Sequence, residues 1–129
     1  MLLDTSGLLC YHHRDEPKHS EARTLFRQAR RALTHSYVLS EFIALANARK
    51  LPRPLALTFL TTLGAHRKVE MVWVDKTLHD RAMALLAARL DKTYSLCDAV
   101  SFVLMKEQGI TDALTTDHHF EQEGFKRLL

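Results

Sequence analysis

At 129 residues the chain is long enough to bury a hydrophobic core but too short for a second domain of ordinary size, so a single domain over residues 1–129 is expected. Apolar residues at 47% and charged residues at 26% are ordinary for a folded globular domain, and no run approaches the ~20 apolar residues that span a bilayer. The net charge of +3 permits a polyanionic partner without demanding one, and Cys10 and Cys97 sit in no metal-binding spacing and read as reduced core thiols.

The opening "MLLD" reads as a short strand that ends at Asp4, and its flanks show no secretory leader, so a cytoplasmic location is expected. Ala22, Leu25, Phe26 and Ala29 form the apolar stripe of an amphipathic helix beginning near Pro17, with Arg23, Arg27, Arg30 and Arg31 on its other side. "ALTH" at 32–35 is the second strand, and "YVLSEFIALANA" at 37–48 is apolar nearly all round, as in a helix covered on several sides. Pro52 and Pro54 open a helix to residue 64, and "VEMVWV" at 69–74 is the most hydrophobic strand, with Trp73 expected in the core. A helix over 76–90 follows, then one containing "LCDAVSFVLM" that stops at Gly109, then strands at "DALTT" and "FKRLL". Strand and helix alternate throughout. That order predicts an α/β fold, with a central parallel sheet of four to five short strands and helices on both faces.

Ligands of an open parallel sheet bind beyond the carboxyl ends of its strands. Asp4 and Asp117 end strand runs, while Glu41 and Asp98 lie in the first turns of helices that start above that same edge. Each has a plainer reading. Asp4 and Asp117 can cap the helices that follow them, and Ser95 with Asp98 spells a capping box. Glu41 lies about five positions past Ser36, the expected cap of its helix, and is the only charge between Val38 and Ala48. A lone buried carboxylate there costs on the order of several kcal/mol unless it is paired or binds a cation. Four gathered carboxylates repel one another unless a divalent cation neutralises them, and an all-oxygen donor set suits Mg²⁺ or Mn²⁺ rather than zinc.

"LLDTSGLL" at 2–9, "VLSEFIALA" at 38–46, "CDAVSF" at 97–102 and "ALTTDHHF" at 113–120 resemble the four signature stretches of PIN-domain ribonucleases, in particular VapC-type toxins of toxin–antitoxin pairs. The resemblance runs in order from Leu2 to Phe120. It implies a PIN-like fold in which Asp4, Glu41, Asp98 and Asp117 hold Mg²⁺ or Mn²⁺ and act as the catalytic acids. Ser6, Ser101 and Thr115 match small polar positions beside the site and are expected to orient those carboxylates. The implied reaction is endoribonucleolytic hydrolysis of RNA by metal-activated water, with no histidine required as base. The implied partners are an RNA substrate, a cognate antitoxin and a second copy in a homodimer, with no membrane.

Family members often have a slightly longer lead into the first strand. Arg14, with His12 and His13, is expected near the cleft mouth as an RNA contact, and His118 and His119 are at most phosphate contacts on the surface. Adjacent helix positions do not face the same way, which argues against a shared metal role for the two. Rival readings are a PIN-like nuclease of RNA processing without a toxin role and a catalytically idle PIN-like binding module for RNA or protein. A receiver domain would need an acid pair at the end of the first strand, where Asp4 is followed by Thr5 and Ser6. A dehalogenase-type phosphatase would need a second acid where Ser6 stands.

Overall fold

Strand β1 (Leu2–Leu3) is two wholly buried leucines, and it lies at the centre of the sheet. The computed structural model describes residues 1–129. After β1 come α1 (Thr5–His12), α2 (His19–Gln28), β2 (Ala32–His35), α3 (Ser36–Ala48), α4 (Arg53–Gly64) and β3 (Val69–Val72). The chain then forms α5 (Lys76–Ala87), α6 (Leu96–Gln108), β4 (Asp112–Leu114), α7 (His119–Gln122) and β5 (Lys126–Arg127). The expected α/β architecture is therefore observed, with five short parallel strands in the order β3-β2-β1-β4-β5.

Two hydrophobic clusters explain why helices cover both faces. One joins Leu3, Leu8, Phe26, Val38, Phe42 and Leu63, and belongs largely to α1, α2, α3 and α4. The other joins Leu2, Leu33, Leu78, Val100, Phe102 and Phe120, and belongs to α5, α6 and α7. Leu2 and Leu3 point to opposite clusters, as the two-residue period of a strand requires. No helix is long and apolar enough to cross a membrane.

The sheet order reverses at β1: the chain steps outward through β2 and β3, then returns to β4 and β5 on the other side. This is a topological switch point, and the crevice above β1 and β4 is where such sheets bind ligands. Gly7 is what lets α1 close on that crevice, because a Cβ there would stand 1.9 Å from the Leu114 carbonyl oxygen. At the other end of the scale of constraint, Gly109 terminates α6 in the left-handed conformation at φ +62° and meets no neighbour.

Three local expectations are corrected. Trp73 is 74% exposed rather than core: β3 is an edge strand that ends at Val72, and while Val72 and Val74 pack on the α5–α6 side, Trp73 alternates to a side that nothing covers. Ser36 does not cap α3. His35 holds the cap position without a side-chain bond, and the Ser36 hydroxyl instead accepts the Val74 N–H at 3.0 Å. Helix α3 is also less enclosed than its composition suggests, since Ser40, Glu41, Ala44, Asn47 and Ala48 are exposed. Cys10 and Cys97 are buried free thiols, as expected.

Candidate active site

Asp4 is placed by both neighbours of the crevice. Its N–H donates to the Leu114 carbonyl at 3.2 Å, which ties the end of β1 to β4, and its extended backbone leads into α1. The side chain is buried, and its Oδ2 accepts from Thr115 Oγ1 at 2.7 Å, Ser6 Oγ at 2.9 Å and the Ser6 N–H at 3.4 Å. The capping reading is thus satisfied by one oxygen alone. Burial pushes the Asp4 carboxyl up to about 6, against the lowering effect of the Thr115 and Ser6 bonds and with a further push from the charge of Asp98.

Asp98 also uses one oxygen for its helix. Its Oδ2 accepts the Ser95 N–H at 2.7 Å while Ser95 Oγ accepts the Asp98 N–H at 3.0 Å, a complete capping box at the start of α6. The same Oδ2 stands 3.7 Å from His119 Nδ1. Burial raises its carboxyl above the usual range, the Ser95 bonds oppose that, and Asp117 raises it further.

Glu41 departs from expectation: it is exposed, because its side chain leaves the packed face of α3. It is still tethered toward the site, since the buried Thr5 hydroxyl donates to its Oε2 at 3.0 Å. Cys97 joins this corner. Burial raises its thiol, a hydrogen bond with Glu41 and that acid's charge add to the rise, and Asp4 and Asp98 contribute further.

Asp117 lies beyond β4. Its N–H donates to Thr115 Oγ1 at 3.0 Å, and its Oδ1 accepts the His119 N–H at 2.9 Å, so it caps α7 from one position earlier than expected. His119 Nδ1 is 3.1 Å from Asp117 Oδ1, and Nε2 meets Thr93 Oγ1 at 3.0 Å. Sequence reasoning put His119 on the surface, yet its side chain is only 15% exposed and lies between Asp98 and Asp117. The error came from assuming both histidines were helical. His118 precedes the helix, so its ring can sit 4.5 Å from that of His119 with Nδ1 3.6 Å from Asp117.

Ser6 and Thr115 take the positions expected of orienting groups, and Ser6 Oγ also accepts the Thr116 N–H at 3.0 Å. Ser101 does not. It is fully buried one turn beyond Asp98, and its hydroxyl pairs with His35 Nε2 at 2.8 Å instead of a carboxylate. His35 went unmarked in the sequence because "ALTH" reads only as a strand. It is wholly buried, its Nδ1 has no hydrogen-bond partner, and burial lowers its imidazole to about 4. Arg14 is also misplaced by expectation. It follows the far end of α1, an eight-residue helix capped by Asp4, and so stands more than ~12 Å down the helix axis from the cleft.

The four carboxylates lie around the switch point, linked through Thr5, Thr115 and His119, and none of them forms an ion pair with Lys or Arg. Burial raises Asp4 and Asp98, a neighbouring carboxylate adds a smaller push to each, and only imidazoles approach as partners. Clustered hard oxygens without a cationic side chain fit a divalent ion such as Mg²⁺ or Mn²⁺. Asp117, His118 and His119 additionally offer ligand atoms within 4.8 Å of one another.

Known proteins match the chain in family and fold. The PIN domain family model matches residues 1–126. The 23S rRNA-specific endonuclease VapC20 from two strains of Mycobacterium tuberculosis is 29% identical over 126 residues, covering 97% of this chain and 95% of the relative. The crystal structure of Mycobacterium tuberculosis VapC20, a sarcin-ricin loop cleaving toxin, matches with a TM-score of 0.86 at 27% identity, covering 96% of this chain and 95% of that one.

Proposed function

The chain belongs to the PIN-domain family, and from that premise we propose that it is a VapC-type toxin, an endoribonuclease that hydrolyses RNA at the crevice above β1 and β4. Asp4, Glu41, Asp98 and Asp117 are the residues we assign to holding Mg²⁺ or Mn²⁺ there. The observation that carries the assignment is the uncompensated charge: the acids line one crevice, Asp4 and Asp98 are raised by burial and then by a neighbouring carboxylate, and no Lys or Arg neutralises them. Large-subunit ribosomal RNA is the first substrate to test, on the strength of the VapC20 relatives. An antitoxin partner, a homodimer, a cytoplasmic location and one domain over residues 1–129 complete the reading.

Asp4, Glu41, Asp98 and Asp117 would hold a divalent ion, whose chemistry when bound would be to activate water and to offset charge on the phosphoryl oxygens. The chain's own contribution is orientation. Thr115 and Ser6 fix Asp4 through Oδ2, Ser95 fixes Asp98 through Oδ2, and Thr5 fixes Glu41 through Oε2, so one oxygen of each acid is held by the fold. His119 restrains Asp117 and separates it from Asp98. Preset carboxylates need little reorganisation at the moment of reaction.

The test is cleavage of purified 23S rRNA by wild type, by wild type in EDTA and by Asp98→Asn. Cleavage restored by Mg²⁺ or Mn²⁺ and lost in the folded variant supports the reading, whereas cleavage that persists in EDTA or in Asp98→Asn overturns it.

A further inference from the structure

Lysines and arginines elsewhere on the chain mostly meet acids: Lys18 with Glu21, Arg49 with Glu16, Lys76 with Asp80, Arg89 with Glu123, and Arg127 with Glu121. One region breaks that pattern. Arg27, Arg30, Arg67 and Lys68, with Ala29, line a hollow of about 510 Å³, and a smaller hollow beside it is lined by Arg23, Arg27, Lys68, Tyr11, Phe26 and His66. No acid lines either hollow, and none of these five cations forms a salt bridge.

The patch is built rather than incidental. Lys68 Nζ donates to the carbonyls of Phe26, Arg27 and Ala29 at 2.9, 3.1 and 3.0 Å, which binds the carboxyl end of α2 to the loop before β3. Cations at that end also suit the helix dipole. Arg23 and Arg27 stand one turn apart on α2, and Arg23 lies over the Tyr11 ring at 6.0 Å. The four arginines are exposed, so their guanidinium groups are free to meet a partner.

The patch faces the amino ends of β2 and β3, opposite the carboxyl ends that carry the acids. We propose that it is a second RNA-docking surface, which grips phosphates of a large folded RNA away from the bond to be cut. The inference rests on the endoribonuclease reading, and a physical difficulty of that reading motivates it. Four carboxylates repel a phosphate backbone, so affinity for RNA must be supplied elsewhere, and unpaired arginines are the side chains that best supply it. Strands of four residues place the two edges ~13 Å apart before loops are added. A trinucleotide seated in the cleft is too short to reach the patch, whereas a folded RNA can reach it.

The experiment compares wild type with Arg27→Gln/Arg30→Gln/Arg67→Gln, keeping Lys68 because it holds α2. Melting temperature is expected to stay unchanged. Binding of 23S rRNA, measured by filter retention in EDTA, should weaken ten-fold or more, and the slope of log affinity against log salt should fall by ~2. Where cleavage is followed with the cation restored, KM for 23S rRNA should rise with kcat unchanged, and cleavage of a trinucleotide carrying the cut site should not change. Unaltered binding of 23S rRNA overturns the inference, including the case where the same substitutions weaken binding of an acidic protein. So does an equal loss on the long and short RNAs. Binding in EDTA is read independently of cleavage, so a wild type that cuts no RNA fails the endoribonuclease reading without deciding the docking one.

Discussion

The Thr115 hydroxyl donates to Asp4 Oδ2 at 2.7 Å, a bond between residues 111 positions apart, and accepts the Asp117 N–H at 3.0 Å. One side chain therefore sets the position of two of the four acids.

Thr115→Val removes that link while keeping the shape. Loss of a group that orients metal-binding carboxylates costs roughly 10- to 100-fold in metal affinity or activity. Thr115→Ser should restore most of it. Titration of the Mg²⁺ dependence of cleavage checks this, and a valine variant with unaltered half-saturation removes Thr115 from the site.

Stability should respond to pH in two opposed ways. Asp4 holds its proton up to about 6 in the folded chain against 3.8 when free, so the folded state binds more protons and loses stability as pH rises through that window. Asp98, also raised, adds to that loss. His35, lowered to about 4 from 6.5, binds its proton more weakly when folded, so it costs stability as pH falls through 6.5 toward 4. Each of the Asp4 and His35 effects is worth roughly 2–3 kcal/mol, and together they flatten the wild-type profile. In EDTA, Asp4→Asn should be more stable than wild type at pH 7 and should lose stability steeply on acidification. His35→Gln should show the reverse slope. Urea denaturation at pH 4.5 and 7 separates them, and two parallel profiles would refute the assignment of either group.

Gly7→Ala places a Cβ against the Leu114 carbonyl oxygen, where neither backbone can yield without moving α1 off β4. A loss of about 2–3 kcal/mol is expected. Cleavage should fall further than stability alone accounts for, because Asp4 and Ser6 ride on the same turn. Chemical denaturation alongside activity at a temperature where the variant is fully folded reads both effects.

Divalent ion should stabilise the fold by linkage, because the carboxylates repel one another without it. Mg²⁺ or Mn²⁺ should raise the melting temperature of wild type but not of Asp98→Asn. His119→Ala should keep part of that rise, since the histidine restrains Asp117 rather than supplying its charge. A full thermal response in Asp98→Asn would place the ion elsewhere.

The fold and the family were legible because they rest on local pattern. Alternating strand and helix spacing, a glycine stop at Gly109 and four short motifs in order are all contained in the chain itself. The caps made by Asp4 and by Ser95 with Asp98 were legible for the same reason, since capping positions at helix starts are local features. What stayed hidden depends on neighbours. The apolar composition of α3 does not say which side stays open, so Glu41 was expected in the interior. Trp73 lies just past an edge strand, and hydrophobicity carries no sign of an edge. His119 was missed because the first turn of α7 starts one residue later than its sequence suggests, which changes where two adjacent rings point. Ser101 has helical spacing to Asp98, but spacing does not disclose that His35 waits for its hydroxyl.

The bonds that unite Asp4 with Thr115, and β1 with β4, also set an order of assembly. Asp4 and its turn of α1 are made well before their partners on and beyond β4, with Thr115 following 111 positions later. Contacts of such separation form late, after the intervening chain has packed. A half-made chain on a ribosome therefore carries Asp4 and Glu41 without the rest of the crevice. A piece that stops short of β4 holds three of the four acids and lacks the strand that ties Asp4 in place.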